Sequence, residues 1–445
     1  MICTETTEPT SVTSNVQSSG NGQLRGKRVA MVMFSHYPAD PRPRRALDAL
    51  VREGMKVDLI CLRDEGSASH EIVEGIDVLR LPMRNLRGGK LAYVYQYAAF
   101  ISIVSAVLAW RALTRGYDLV YVHNMPDILV LSALIPKALG AKVILDLHDP
   151  MPELMVTIFK LDSDSLSVRL LKRIEKWSIA RANSVVTVNR TFKHLFSSRS
   201  CGLDKIEVVM NTPDSEIFPL RPPLLALAKQ VGDKHVIMYH GSLVERNGLD
   251  LAVDALARVK QVIPGAELRI YGDKTPFLER VMDTANSRGL RGAVRYLGPK
   301  CLEDLVHEIE DCDVGVIPNH RNSFTQINTP TRIFEYLALG KPVIAPRTQG
   351  VQDYFTDDSM IFFEAGDAED MAKSIEYAFY HPAQVTETVR RGQAVYRTHL
   401  WQKERARLIG VVAGLLEKDS TRINSISEAV RRQQTTIQPA AKPRA

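Results

Sequence analysis

The stretch with the most chemical content is Thr329-Pro-Thr-Arg-Ile-Phe-Glu-Tyr-Leu-Ala-Leu-Gly-Lys-Pro-Val-Ile-Ala345. Pro330 opens a helix, Gly340 closes it, and Pro342 to Ala345 reads as a short buried strand. Glu335 falls about one turn past the helix start. The positive end of a helix favours phosphate, and a carboxylate placed there can hold hydroxyls, so the pair suits a nucleoside diphosphate. An ordinary αβ unit with a solvent-facing Glu fits the same residues.

A second constellation is Tyr239-His240-Gly241-Ser242-Leu243-Val244-Glu245-Arg246-Asn247-Gly248, a strand, a glycine turn and a cation just before a helix. Gly241 permits close backbone approach to a ligand, and Arg246 offers a planar fork for phosphate. Neither a Walker A loop nor G-x-G-x-x-G occurs here, which counts against an ATPase or a simple dehydrogenase. Tyr271-Gly272-Asp273 and Leu297-Gly298 are two further strand-end glycines, either walls of a base pocket or plain turns.

The first half carries polar strand ends. Ser35 to Arg45 reads as a basic loop in which His36, Arg42, Arg44 and Arg45 are candidates for a sugar or phosphate. His123 follows a buried strand directly and either bonds a substrate hydroxyl or is a core histidine satisfied by backbone. The next strand runs into His148-Asp149-Pro150-Met151-Pro152-Glu153. A metal on His123, His148, Asp149 and Glu153 is conceivable, but there is no i, i+4 histidine pair, and no metal site is expected.

The elements that must position these residues alternate between strand and helix. Strands are expected at Val29–Phe34, Val57–Leu62, Asp77–Leu81, Leu119–Val122, Val143–Asp146, Ser184–Val188 and Ile206–Val209. After Asn211-Thr-Pro-Asp214 and a proline-rich linker they resume at Val236–Tyr239, Glu267–Tyr271, Val294–Leu297, Val314–Ile317, Val343–Ala345 and Met360–Phe362. The pattern predicts an α/β protein of two doubly wound, Rossmann-like domains facing a cleft, with ligands at the carboxyl ends of the strands. The expected limits are 27–212 and 213–395, a returning helix over 396–418, and disordered tails over 1–26 and 419–445.

The chain has 445 residues, 45% hydrophobic and 24% charged, which is a globular composition. Its net charge of +6 is too modest for a dedicated nucleic-acid binder. The charge is clustered: no acid lies between Asp77 and Asp118, where Arg80, Arg84, Arg87, Lys90, Arg111 and Arg115 occur. Such a segment would be drawn to an anionic surface. The five cysteines lack metal-type spacing and imply a reduced, cytoplasmic setting. Leu91 to Trp110 is free of charge and long enough to span a bilayer core. It is flanked by strands of one sheet, so a buried crossover helix or an interfacial helix with Tyr93, Tyr95, Tyr97 and Trp110 at headgroup level also fits.

Taken together, these residues resemble the GT-B glycosyltransferases of glycosyltransferase family 4, over roughly Arg28 to Glu417. Thr329–Ala345 is similar to that family's donor-binding helix. The resemblance implies that Thr329, Thr331 and Arg332 hold a donor pyrophosphate and Glu335 the ribose diol. Gly241, Ser242, Arg246 and Asn247 fall on the family's phosphate loop, with Gly272 nearby. His123 matches the strand-end histidine beside the transferred sugar, so His123, Glu335 and Arg246 are the implied catalytic set. Asp40-Pro-Arg42 and Asp146 to Glu153 resemble a bacterial surface-polysaccharide branch, with His36, Arg42, His148 and Glu153 as implied acceptor contacts. The first domain would then bind acceptor and the second the nucleotide sugar. Two departures stand out: Ile327 replaces the first Glu of E-x7-E, and Asn247 replaces the lysine of an Arg-Lys pair.

The resemblance implies retaining transfer from a nucleoside-diphosphate sugar, UDP-sugar favoured, to a lipid-linked or polysaccharide acceptor in surface or exopolysaccharide biosynthesis. It implies no cofactor and no obligatory metal. The expected setting is cytoplasmic and peripheral on the inner face of the plasma membrane, against anionic lipid and without nucleic acid. A sugar-nucleotide epimerase, a phosphorylase, or a catalytically weak binding subunit of a polysaccharide assembly complex would use the same fold.

Overall fold

The computed structural model of the protein describes residues 22–83, 90–223 and 232–417. Contacts divide the chain into two compact units. One is built mainly from the chain up to Asp146 together with Trp177–Val186, the other from Leu147–Lys176 and Thr187–Arg405.

Two sheets carry the fold. The first contains β1 (Arg28–His36), β2 (Lys56–Leu62), β3 (His70–Val73), β4 (Ile76–Leu81), β5 (Leu119–His123), β6 (Lys142–Leu147), β7 (Ser184–Thr187) and β8 (Ile206–Val208). Its order is β3-β4-β2-β1-β5-β6-β7-β8. The pairs β1–β2, β1–β5, β2–β4 and β5–β6 are parallel, and their strands are nearly continuous apolar runs because both faces are covered. The strand order reverses between β1 and β5, whose carboxyl ends carry His36 and His123. β3 is an edge strand that the sequence pattern does not reveal. It pairs antiparallel with β4 through a two-residue turn, Glu74-Gly75, in which both residues have positive φ.

The second sheet contains β9 (His235–His240), β10 (Ala266–Tyr271), β11 (Val294–Tyr296), β12 (Val314–Val316), β13 (Val343–Pro346) and β14 (Ile361–Phe363). It is parallel throughout, in the order β11-β10-β9-β12-β13-β14. This is the dinucleotide-fold order, with its switch point between β9 and β12.

The helices are α1 (Pro41–Arg52), α2 (Lys90–Arg115), α3 (Leu134–Ala138), α4 (Met151–Phe159), α5 (Leu166–Arg181), α6 (Arg190–Arg199) and α7 (Leu249–Val262). They continue with α8 (Pro276–Ser287), α9 (Leu302–Glu310), α10 (Thr331–Ala338), α11 (Gln349–Gln352), α12 (Ala368–Tyr380) and α13 (Pro382–Arg397), before a last helix over 401–417. Tyr239, Tyr271, Phe334, Tyr336 and Phe355 fill the core of the second sheet.

The basic segment expected between Asp77 and Asp118 is internally paired. Arg80 is buried and hydrogen-bonds Glu71, while Arg111 and Arg115 pair with Asp58 and Asp77. These cations are matched by acids on β2, β3 and β4, so they do not form a free basic surface. Arg84 and Arg87 lie outside the described residues. Among the described side chains of α2, a crossover helix, burial follows one stripe: Gln96, Phe100, Val104, Leu108, Arg111 and Ala112. Of its apolar window Val94–Arg115, 28% is buried, and Val94, Tyr95, Trp110 and Leu113 are each at least 64% exposed.

Candidate functional site

Gly241, Ser242, Gly272, Arg332 and Glu335 come together in one pocket of about 360 Å³, with His240, Tyr271, Asp273, Pro299 and Lys300. The parallel register explains this: β9, β10 and β11 all end on the same edge, and α10 points its N-terminus there. At Gly272, φ is +149°, and an added Cβ would lie 2.2 Å from the Gly241 carbonyl oxygen. Only a residue without a side chain lets the two strand ends pack backbone to backbone.

Arg332 folds back over the loop. Its Nη1 donates to the His240 carbonyl at 2.7 Å, and its guanidinium stands 4.7 Å from the Tyr239 ring centre. The Glu335 carboxylate is not on the solvent face: its side chain is 14% exposed, with Oε2 3.3 Å from His240 Nε2. Burial, and then the charge of Arg332, push the His240 pKa down to about 3, so the ring is neutral and does not cancel the charge on Glu335.

Asn247 donates from Nδ2 to the Ser242 carbonyl at 2.8 Å, which also accepts the Tyr239 hydroxyl at 2.8 Å. The uncharged residue at this position thus braces the loop. Thr329 accepts from Asn189 and donates to the Gly350 carbonyl, and Thr331 accepts from Asn211. The Thr329 hydroxyl is engaged within the fold as both acceptor and donor, whereas that of Thr331 accepts and its O–H can still donate.

Arg246 lines a neighbouring cavity of about 970 Å³ with Lys160, Phe277, Arg280, His320 and Asn322. Burial depresses its pKa; Asp149 and Tyr239 oppose this, and Arg332 adds to the depression. Two arginines that repel one another are suited to an intervening anion.

The other expected residues have different surroundings. Glu153 holds Arg199 in a bidentate pair at 2.6 and 2.9 Å, and Arg199 also binds Glu175. Its carboxylate is therefore engaged with a partly buried arginine. Asp40 caps α1, and Arg42 is buried rather than free in a loop. Arg42 donates to Asp146 Oδ1 from Nε at 3.2 Å and from Nη2 at 2.6 Å. His36 Nδ1 lies 2.9 Å from Asp64. His148 directly follows β6. His123 is 1% exposed, stacks on Tyr121 at 4.9 Å, and sits 3.4 Å from Asp146 Oδ2. Burial lowers its pKa to about 4. His240 and Lys300 were not singled out from the sequence; the signal for both was their place beside strand-end glycines.

A "Glycosyl transferase 4-like domain" model matches residues 39–212, and a "Glycosyl transferases group 1" model matches residues 234–379. The probable glycosyltransferase WbjE of Pseudomonas aeruginosa is 25% identical over 270 residues, 59% of this chain and 64% of that protein. The lipopolysaccharide core biosynthesis glycosyltransferase LpsE of Rhizobium meliloti is 30% identical over 145 residues, 32% of this chain and 39% of that one. The matches thus span less than two thirds of either relative. The crystal structure of Anabaena HepE in complex with UDP-glucose aligns with a TM-score of 0.66 at 15% identity, over 87% of this chain and 99% of that one. Both halves of the chain match glycosyltransferase domains, and the two α/β sheets, parallel but for the edge strand β3, agree with the fold of such enzymes. The chain belongs to the GT-B glycosyltransferases, and its first domain fits family 4.

Proposed function

We propose that the protein transfers a sugar, with retention, from a nucleoside-diphosphate sugar to a lipid-linked or polysaccharide acceptor in surface or exopolysaccharide biosynthesis. The observation that carries this reading is the convergence of Gly241, Gly272, Arg332 and Glu335 at the α10 N-terminus. The donor pyrophosphate meets the helix end and the Gly241 loop, and Glu335 accepts from the ribose diol. As the sugar bond ionises, charge grows on the departing diphosphate. The amides of Thr331 and Arg332, together with Arg246, stabilise it. The leaving phosphate takes the acceptor's proton, so attack occurs on the same face without a protein nucleophile. Neutral His123 accepts from a sugar hydroxyl. No cofactor or obligatory metal enters this scheme.

A UDP-sugar is the favoured donor, because the structurally similar HepE was crystallised with UDP-glucose. A surface-glycan role is favoured by the similarity to LpsE. Peripheral attachment on the cytoplasmic side of the plasma membrane is supported by the exposed apolar face of α2, with Tyr95 and Trp110 toward its two ends. Calorimetric titration with UDP, GDP, ADP and dTDP tests the donor: UDP is expected to bind most tightly, and absence of binding by all four refutes the site.

A further inference from the structure

The pocket that holds Arg332 and Glu335 is also lined by Pro299 and Lys300, which follow β11, and by Leu302 and Leu305 on α9. The strands β9, β10 and β11 are neighbours in that order, and all end on the same edge. The segment after β11 therefore lies two strand spacings, roughly 10 Å, from the Gly241 loop. A ribose and its base can span that separation. Lys300 is the cation at this end, and it is held in place. Its Nζ lies 3.0 Å from Glu308 Oε1, and Glu308 Oε2 accepts from the hydroxyl of buried Tyr271 at 2.5 Å. The hydrogen bond with Glu308 raises the Lys300 pKa, so the ammonium keeps its charge. An ammonium has three N–H donors and no acceptor, and Glu308 takes one of them.

We propose that Lys300 is a specificity-determining residue of the donor site, donating to the exocyclic keto oxygen of the nucleotide base, with Glu308 and Tyr271 as its positioning residues. The side chains of Pro299, Leu302 and Leu305 offer apolar contact to any ring and cannot tell one edge from another. The ammonium can. Uracil presents an acceptor at O4, whereas cytosine presents an amino group there, which turns N–H donors toward a group that has only donors. Such a mismatch leaves both sides unpaired, and this is the strong form of discrimination. The same argument favours guanine over adenine. Asp273, an acceptor, also lines the pocket. If it read the base, the amino-bearing ring would be preferred instead. This inference rests on the nucleoside-diphosphate donor proposed above and deepens it by naming the chemistry of the base.

UDP and CDP differ only along that edge of the ring, so calorimetric titration of the full chain with each isolates the contact. The wild type is expected to bind UDP at least about tenfold more tightly than CDP, the worth of one charge-assisted hydrogen bond. Lys300→Met keeps the length of the stem and removes the donor. It should bring the two affinities within about threefold by weakening UDP and not CDP. Glu308→Gln should narrow the ratio part of the way, because a neutral partner holds the ammonium less firmly. Circular dichroism confirms the fold of each variant. Equal affinities in the wild type, a preference for CDP, or a ratio unchanged in either variant overturns the inference and leaves the donor site standing. If Lys300→Met does not fold, the ratio in Glu308→Gln decides. Binding of neither nucleotide by the wild type refutes the donor site itself, so the two ideas fail separately.

Discussion

Replacing Glu335 with Gln removes a charge and keeps the shape. The carboxylate is largely buried, and its neighbour His240 is neutral, so that ring does not offset its charge. A hydrogen bond to a charged group contributes about 1.5–3 kcal/mol, roughly twice a neutral one. Gln retains an acceptor oxygen, so the loss should be about half of that, on the order of 1–1.5 kcal/mol. This corresponds to an affinity for UDP lower by about five- to tenfold. Inorganic pyrophosphate reports only the helix end and the arginines. Its affinity should change by less than about twofold, or tighten slightly as a nearby negative charge is removed. Isothermal titration of both ligands, with circular dichroism to confirm the fold, makes the comparison. Equal losses for the two ligands, or none for either, would show that Glu335 does not hold a ribose.

Arg246→Ala should weaken UDP binding at least about tenfold; unchanged affinity would mean that its cavity serves something other than the diphosphate. Burial holds His123 near pKa 4, below the ordinary value of 6.5, so the unfolded chain binds the extra proton first as pH falls. Its contribution to stability is therefore complete above pH 6.5 and lost toward pH 4, at up to about 1.4 kcal/mol per pH unit. Denaturation between pH 7 and 4.5 should accordingly be flatter for His123→Gln, and parallel curves would contradict the neutral ring. The exposed face of α2 predicts sedimentation with anionic vesicles, weakened by Trp110→Ser with Leu113→Ser. Equal sedimentation by the double variant would assign membrane contact elsewhere.

Local signals were legible in the sequence and distant partners were not. Pro330, Gly340 and the apolar run after them announce α10 and β13, and both form as read apart from a one-residue shift of the strand. The strand-end glycines at 241 and 272 were visible for the same reason: a turn leaves its mark on neighbouring residues. By contrast, Arg42 reads as a loop cation because Asp146 is 104 residues away. Glu153 reads as a free acid because Arg199 lies 46 residues further on. Arg111 and Arg115 gave the same false impression of an unmatched basic surface, their acids lying at least 34 residues away. Periodicity reports which face is buried, but the partner of a buried charge depends on strand order. The strand β3 escaped because it is short, half-exposed and at an edge.

The most direct test of the account is a transfer assay with stereochemical readout. Purified protein is incubated with a UDP-sugar labelled in the sugar and with a lipid extract of its own cells. The account predicts UDP release matched by label in the lipid fraction, with the donor's anomeric configuration preserved by NMR. Label that remains in an isomerised sugar nucleotide, or that appears as sugar 1-phosphate only when inorganic phosphate is added, would contradict it.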